Sequence, residues 1–140
     1  MAGTDAVALL ADVPFFEGID NKTRKAVAQA GKEVSFKAGD FVVGEKGVGV
    51  GFYLVLEGRV EVRKGSKVIA TLGRGQFFGE MSVIDGQPRS ADVVATAPTK
   101  CWVLPAWSFA GLIKAHPEVA LPMLKELVKR LRAAMSSPVS

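Results

Sequence analysis

The spacing of apolar residues along the chain changes twice and divides it into three zones. In the first, Ala6 to Leu10 and Lys22 to Ala30 have helical composition; Asp20 or Asn21 is placed to cap the second helix and Gly31 to end it. From Glu33 the period becomes two. Val34 and Phe36 alternate with Glu33, Ser35 and Lys37, Gly39-Asp40 turns the chain, and Phe41-Val42-Val43 is a second short strand. Phe52 to Leu56 is apolar at every position, which predicts a strand covered on both faces. After a turn at Glu57-Gly58, Val60 and Val62 alternate with Arg59, Glu61 and Arg63 as in a strand with one wet face. Lys64-Gly65-Ser66 turns again, Lys67 to Leu72 returns, and Ala91 to Ala95 and Lys100 to Leu104 complete the set. Short strands with turns every roughly 6 to 12 residues predict a small antiparallel barrel or sandwich.

The third zone is helical. One helix is expected over about Ala106 to Ala115, with Pro105 in its first turn, and a second from His116-Pro117-Glu118. Pro122 should bend that helix or restart it. From Met123 to Arg132, Leu124, Leu127, Val128 and Leu131 make one apolar stripe opposite the basic residues Lys125, Lys129, Arg130 and Arg132, which read as a solvated face. The expected organisation is one domain over 1–140: N-terminal helices in 1–31, a barrel in 32–104, C-terminal helices in 105–135 and a loose tail in 136–140.

Composition narrows the chemistry. The 49% apolar and 23% charged residues are ordinary for a globular domain, so neither disorder nor a fibrous repeat is indicated. No apolar run approaches the roughly 20 residues that span a bilayer. Met1 to Leu10 lacks the pattern of an export signal, and there is a single cysteine, Cys101, so a cytoplasmic location is expected. One cysteine excludes an internal disulfide and a thiolate metal cluster, and Cys101, within a strand-like run, reads as a buried inert thiol. The one histidine, His116, reads as a helix-boundary residue rather than a catalyst. The net charge of +4 comes without any groove-reading motif, so direct nucleic-acid binding is not expected. Gly47-Val48-Gly49-Val50-Gly51 opens onto a strand rather than a helix and lacks the last spacing of a dinucleotide loop.

The chemistry concentrates in the fifteen residues from Phe77 to Ala91. Phe77 and Phe78 read as core. Gly79 leads a short helical segment, Glu80-Met81-Ser82-Val83, whose first N–H groups have no helical partners. Asp85 before Gly86 reads as a turn residue. Arg89 follows Pro88, which restricts the backbone, and precedes Ser90. A guanidinium can face two oxygens of a phosphodiester with paired hydrogen bonds, and a serine hydroxyl can add a donor to the same group. Glu80 beside a phosphate would repel it; it is expected to turn away, accept a sugar hydroxyl and pair with Arg89. Ser82 serves either the ligand or its own backbone. The pattern suits a small anion carrying a phosphate and sugar hydroxyls.

Phe77-Phe78-Gly79-Glu80-Met81 followed by Pro88-Arg89-Ser90-Ala91 resembles the phosphate-binding cassette of the cyclic-nucleotide-binding domain family. Lys37-Ala38-Gly39-Asp40 with Gly44-Glu45-Lys46-Gly47, and the run Phe52 to Val62, resemble the family's earlier turn and strand pattern; the likeness extends from about Pro14 to Arg132. It implies a mainly β fold with flanking helices: an eight-stranded antiparallel jelly-roll barrel, N-terminal helices and a C-terminal helical lid. Ligand would lie inside the barrel against the cassette of 77–91, with Gly79, Glu80, Met81, Arg89 and Ser90 at ribose- and phosphate-binding positions and Ser82 beside them. Relatives that prefer cyclic GMP tend to carry threonine where Ser90 stands, so serine leaves the base open. In gene-regulating relatives, hydroxyls on the last helix meet the base; Leu131-Arg132-Ala133-Ala134-Met135 has none, and Leu131 or Met135 would serve as an apolar lid or as ordinary helix packing. No helix-turn-helix follows in this sequence.

The leading expectation is a sensor of cyclic AMP, with cyclic GMP as the alternative, without catalysis and without cofactor or metal, signalling through its C-terminal helices to an effector protein or a second copy. Its rivals are a barrel scaffold for protein partners and a sugar-phosphate enzyme, the latter lacking a visible general base. The expected mechanism draws the cassette helix inward and swings the segment after Pro122 onto the barrel.

Overall fold

The structure is a computed structural model that describes residues 2–43, 49–87 and 91–135, with side chains from Ala6 onward. Two helices come first, α1 (Ala2–Leu10) and α2 (Asn21–Ala30), with a 3₁₀ turn at Pro14–Phe16 between them. Eight strands follow: β1 (Lys32–Phe36), β2 (Phe41–Val43), β3 (Gly51–Glu57), β4 (Arg59–Lys64), β5 (Lys67–Gly73), β6 (Phe77–Phe78), β7 (Asp92–Ala95) and β8 (Thr99–Pro105). A short helix, α3 (Glu80–Asp85), interrupts them after β6. The chain ends in α4 (Ala106–Ala115), a 3₁₀ turn at Pro117–Val119 and α5 (Ala120–Met135).

The strands form two antiparallel four-stranded sheets, in the orders β1-β8-β3-β6 and β2-β7-β4-β5. This is the mainly β architecture that the turn spacing predicts. The β4–β5 hairpin closes through Gly65-Ser66, with Lys64 opposite Lys67 and Gly65 in the left-handed region at φ 63°. β3 explains how one apolar run serves two cores. Phe52, Leu54 and Leu56 point one way, into a cluster with the helices. Tyr53 and Val55 point the other way, into the barrel with Val60, Val62, Val93 and Cys101. Cys101 is fully buried, and desolvation pushes its thiol up to about 12, so it is inert.

The helices lie on the outer face of the first sheet. Asp20 caps α2, accepting the N–H of Thr23 at 2.7 Å, which lowers its carboxyl pKa. Trp102 of β8 donates its indole N–H to the Ala28 carbonyl at 2.9 Å and pins α2 to the sheet. Gly31 follows because a Cβ there would meet the Trp102 ring at 2.5 Å. Trp102→Phe removes the donor and leaves that carbonyl short of a partner; we expect a loss of about 1–2 kcal/mol in urea unfolding. An unchanged midpoint would show that the indole contact is dispensable.

The helical zones need one correction. α1 runs from Ala2 and so includes Ala6 to Leu10, and Phe77 and Phe78, which read as core, form β6. Of the two outcomes expected at Pro122, a bend or a restart, the structure gives the restart: α5 begins at Ala120 and the proline sits in its first turn, where no N–H is needed. The correction concerns the face of α5. Met123 is buried, and Pro122, Glu126, Leu127 and Arg130 are half-buried, whereas Leu121, Leu124, Val128, Leu131 and Met135 are exposed. The helix therefore packs along the 123–127–130 line, and Arg130 turns inward instead of standing on a solvated face.

Candidate functional site

The cassette is built on β3. Phe77 stacks on Phe52 at 5.5 Å between ring centroids, and Phe78 stacks on Tyr53 at 4.8 Å, so the two phenylalanines anchor one to each core. The Tyr53 hydroxyl in turn donates to the Gly49 carbonyl. Gly79 then reverses the chain at φ 84°. A Cβ at Gly79 would overlap the carbonyl oxygen of Gly51 at the start of β3, so the need for glycine is fixed within the fold, before any ligand is considered.

α3 is a short, well-bounded helix. It begins after Gly79 and ends at Gly86, whose φ is 70° and whose N–H donates to the Ser82 carbonyl at 2.9 Å. Val83 is buried in the helical core, and α3 packs against β3 and α4. Ser82 is buried at 7% exposure, whereas Met81 stands out at 60%. Asp85 accepts the N–H of Gln87 at 2.9 Å, the turn contact its sequence position suggests.

Glu80, at the first position of α3, is half-buried. Its Oε1 accepts a hydrogen bond from Nη1 of Arg130 at 2.9 Å. The guanidinium is itself held: its Nε donates to Oε2 of Glu126 at 2.8 Å, one turn back on α5, and its carbon lies 5.0 Å from the centre of the Phe15 ring. Pro88, Arg89 and Ser90 lie outside the described residues, as do Gly44 to Val48 of the early glycine turn. The expected Glu80–Arg89 pair is therefore not placed; the partner the structure gives Glu80 is Arg130.

Leu131 and Met135, the two lid candidates, project from α5 at 60% and 54% exposure. His116 precedes the 3₁₀ turn at Pro117, and its Nδ1 lies 3.1 Å from Oε1 of Glu118, in keeping with a helix-boundary role. Among the described residues no cluster of His, Cys, Asp and Glu is placed to hold a metal, and no helix is long and apolar enough to cross a membrane.

The sequence reading missed Arg130 and Phe15. Two apolar lines run along α5 about a third of a turn apart, Met123-Leu127 and Leu121-Leu124-Val128-Leu131, and the stripe of Leu124, Leu127, Val128 and Leu131 read from the sequence draws on both, so it does not separate the docked side from the exposed one. The Glu126–Arg130 spacing was the available signal. An i,i+4 ion pair beside Met123 and Leu127 marks the side of the helix that meets other charges.

Comparison with known proteins places this geometry. The family model described as cyclic nucleotide-binding domain matches residues 33–116, which includes the whole cassette. A cGMP-dependent protein kinase of Plasmodium berghei is 31% identical over 118 residues, 84% of this chain and 13% of the kinase. A cyclic nucleotide-gated potassium channel of Rhizobium etli is 33% identical over 122 residues, 87% of this chain and 34% of the channel. The chain thus spans only a minor part of these curated relatives. Among solved structures, a cyclic nucleotide-binding domain from Methylobacillus flagellatus superposes with a TM-score of 0.76 at 27% identity, covering 95% of this chain and 78% of that one. The Thermus thermophilus catabolite activator protein gives 0.72 at 30% identity, covering 86% and 59%.

Proposed function

Because the chain belongs to the cyclic nucleotide-binding domain family, we propose that it is a sensor that binds cyclic AMP, with cyclic GMP as the competing ligand, and acts by binding rather than by catalysis. The observation that carries this reading is that the family match spans the cassette from Phe77 to Ala91. Arg89 and Ser90 take the ring phosphate, Gly79, Met81 and Ser82 line the approach, and Glu80 takes the ribose hydroxyl. A kinase of the cyclic-GMP-dependent type and a regulatory subunit of the cyclic-AMP-dependent type, from Schizosaccharomyces pombe, both stand among the relatives, so the base is left to experiment.

Ligand that binds only the folded chain raises its stability by about 2.7 kcal/mol at 100 times its Kd. We expect a melting shift of that size with a cyclic nucleotide. The absence of any shift with either would favour a scaffold, and turnover of the ligand would favour an enzyme.

The signal leaves through α5. Leu121, Leu124, Val128, Leu131 and Met135 are all exposed and follow the 3-4-3-4 spacing of a two-stranded coiled-coil seam. Leucine at 124 and 131 with valine at 128 suits a parallel pair, and a parallel partner sets Leu127 rather than a like charge against Arg132. We assign the seam to a second copy of this chain. This use takes Leu131 and Met135 where they stand, whereas a lid requires α5 to move. Sedimentation should find a dimer that Leu124→Glu converts to a monomer. A wild-type monomer at about 100 μM, where even a weak pair with Kd near ~10 μM would form, would refute the seam. If instead α5 closes over the base, amide exchange in 121–135 slows on ligand binding while the wild-type chain sediments as a monomer.

A further inference from the structure

The outer end of the β4–β5 hairpin joins apolar and charged groups that the fold leaves facing water. β5 is the edge of its sheet, and Lys67 to Thr71 are exposed throughout. Val68 and Ile69 stand side by side there, 45% and 51% exposed. Arg63 faces Val68 and Val62 faces Ala70, so Ile69 has no partner on β4 and forms a bulge. The turn from Lys64 to Lys67 lies beyond the last β4–β7 pair, Arg63 opposite Asp92. Arg63 is neutralised by Glu61, 2.7 Å away. Lys64 and Lys67 face each other across the hairpin, and neither has an ion pair among the described residues. Like charges set opposite on a strand pair cost stability, and an anion between the two ammonium groups would offset that cost. We propose that this tip docks on an anionic lipid surface, Val68 and Ile69 entering the headgroup region while Lys64 and Lys67 meet the lipid phosphates.

The chemistry of the tip favours lipid over other partners. The bulge and the lysine blunt the edge of β5, so a second extended chain gains little by pairing there. A nucleic acid would use the two lysines but leave Val68 and Ile69 in water. The boundary between headgroups and acyl chains uses both: the lysine stems lie along apolar surface, their ammonium groups reach the phosphates, and the two aliphatic side chains leave water. Each lysine adds attraction only where the lipid is anionic. Two half-exposed aliphatic side chains bury less than one acyl chain, so the docking is reversible and depends on lipid charge.

The test is co-sedimentation of the chain with vesicles of phosphatidylcholine, alone or with about a third phosphatidylglycerol, at about 0.1 M salt. The wild-type chain should be half-bound at or below about 1 mM lipid on the anionic vesicles and at least about tenfold weaker on the neutral ones. The double variant Lys64→Gln, Lys67→Gln should lose about tenfold on anionic vesicles with no loss of stability in urea, because it removes a like-charge pair. The double variant Val68→Ser, Ile69→Ser should lose about fivefold, and Ile69→Ser alone carries the test if that variant does not fold. Trp107→Ser, on the exposed start of α4, is the control and should bind within about twofold of wild type. No binding to anionic vesicles at about 5 mM lipid, or equal binding to both kinds, would overturn the proposal. Serine variants that bind like wild type would reduce the contact to charge adsorption and overturn it as well. A loss from Trp107→Ser that matches the hairpin variants would move the contact to α4. Lysine-dependent binding of a single-stranded oligonucleotide, with none to vesicles, would assign the tip to nucleic acid instead.

Discussion

Arg89→Lys is expected to weaken cyclic-nucleotide binding about a hundredfold, a cost of about 3 kcal/mol, with the fold intact. The ring phosphodiester offers two free oxygens and a single charge. A guanidinium presents two parallel N–H donors to such a pair, whereas an ammonium presents a compact charge that cannot reproduce the paired geometry. Pro88 immediately before it has its own φ fixed by the ring, which reduces the freedom of the chain leading into Arg89. Arg132→Lys is the matched control: Arg132 is exposed on α5, and its replacement should leave affinity within about twofold, as is usual at the surface. Binding curves for the two variants at one ionic strength decide the matter. Comparable losses from both would mean that general positive charge, rather than a shaped phosphate site, attracts the ligand.

Gly79→Ala should be the most destabilising substitution in the cassette, about 3 kcal/mol or more in urea unfolding. Two effects add. The left-handed backbone at φ 84° disfavours any Cβ, and the Cβ would run into the Gly51 carbonyl. Gly86 separates them. It is also left-handed, at φ 70°, but a Cβ there meets nothing within 4 Å, so Gly86→Ala should cost about 1 kcal/mol. Equal costs at the two positions would show that strain alone acts and that α3 does not press on β3. Because Glu80 follows Gly79 directly, the first variant should also lose ligand affinity beyond what its lowered stability explains.

The strands were legible because period-two alternation and glycine turns are local signals. Phe52 to Leu56 announced a strand covered on both faces, and the structure divides that run between two cores by residue parity. The short helix led by Gly79 was legible in the same way. What escaped was the pairing of distant surfaces. Nothing near Glu80 in the sequence points to Arg130, and nothing near Phe15 announces a guanidinium over its ring; both contacts follow from how α5 rotates about its axis when Met123 and Leu127 dock. Gly79 was legible as a glycine position but not for its reason, since the obstructing Gly51 carbonyl comes from the far end of a strand 28 residues earlier, by the numbering of the two.

The most direct test is a calorimetric titration of one preparation with cyclic AMP, cyclic GMP and linear 5′-AMP. Saturable binding of a cyclic nucleotide at one per chain, with the linear monophosphate at least about tenfold weaker, is the predicted result. Linear and cyclic forms binding alike, or no binding of either cyclic nucleotide, would contradict it.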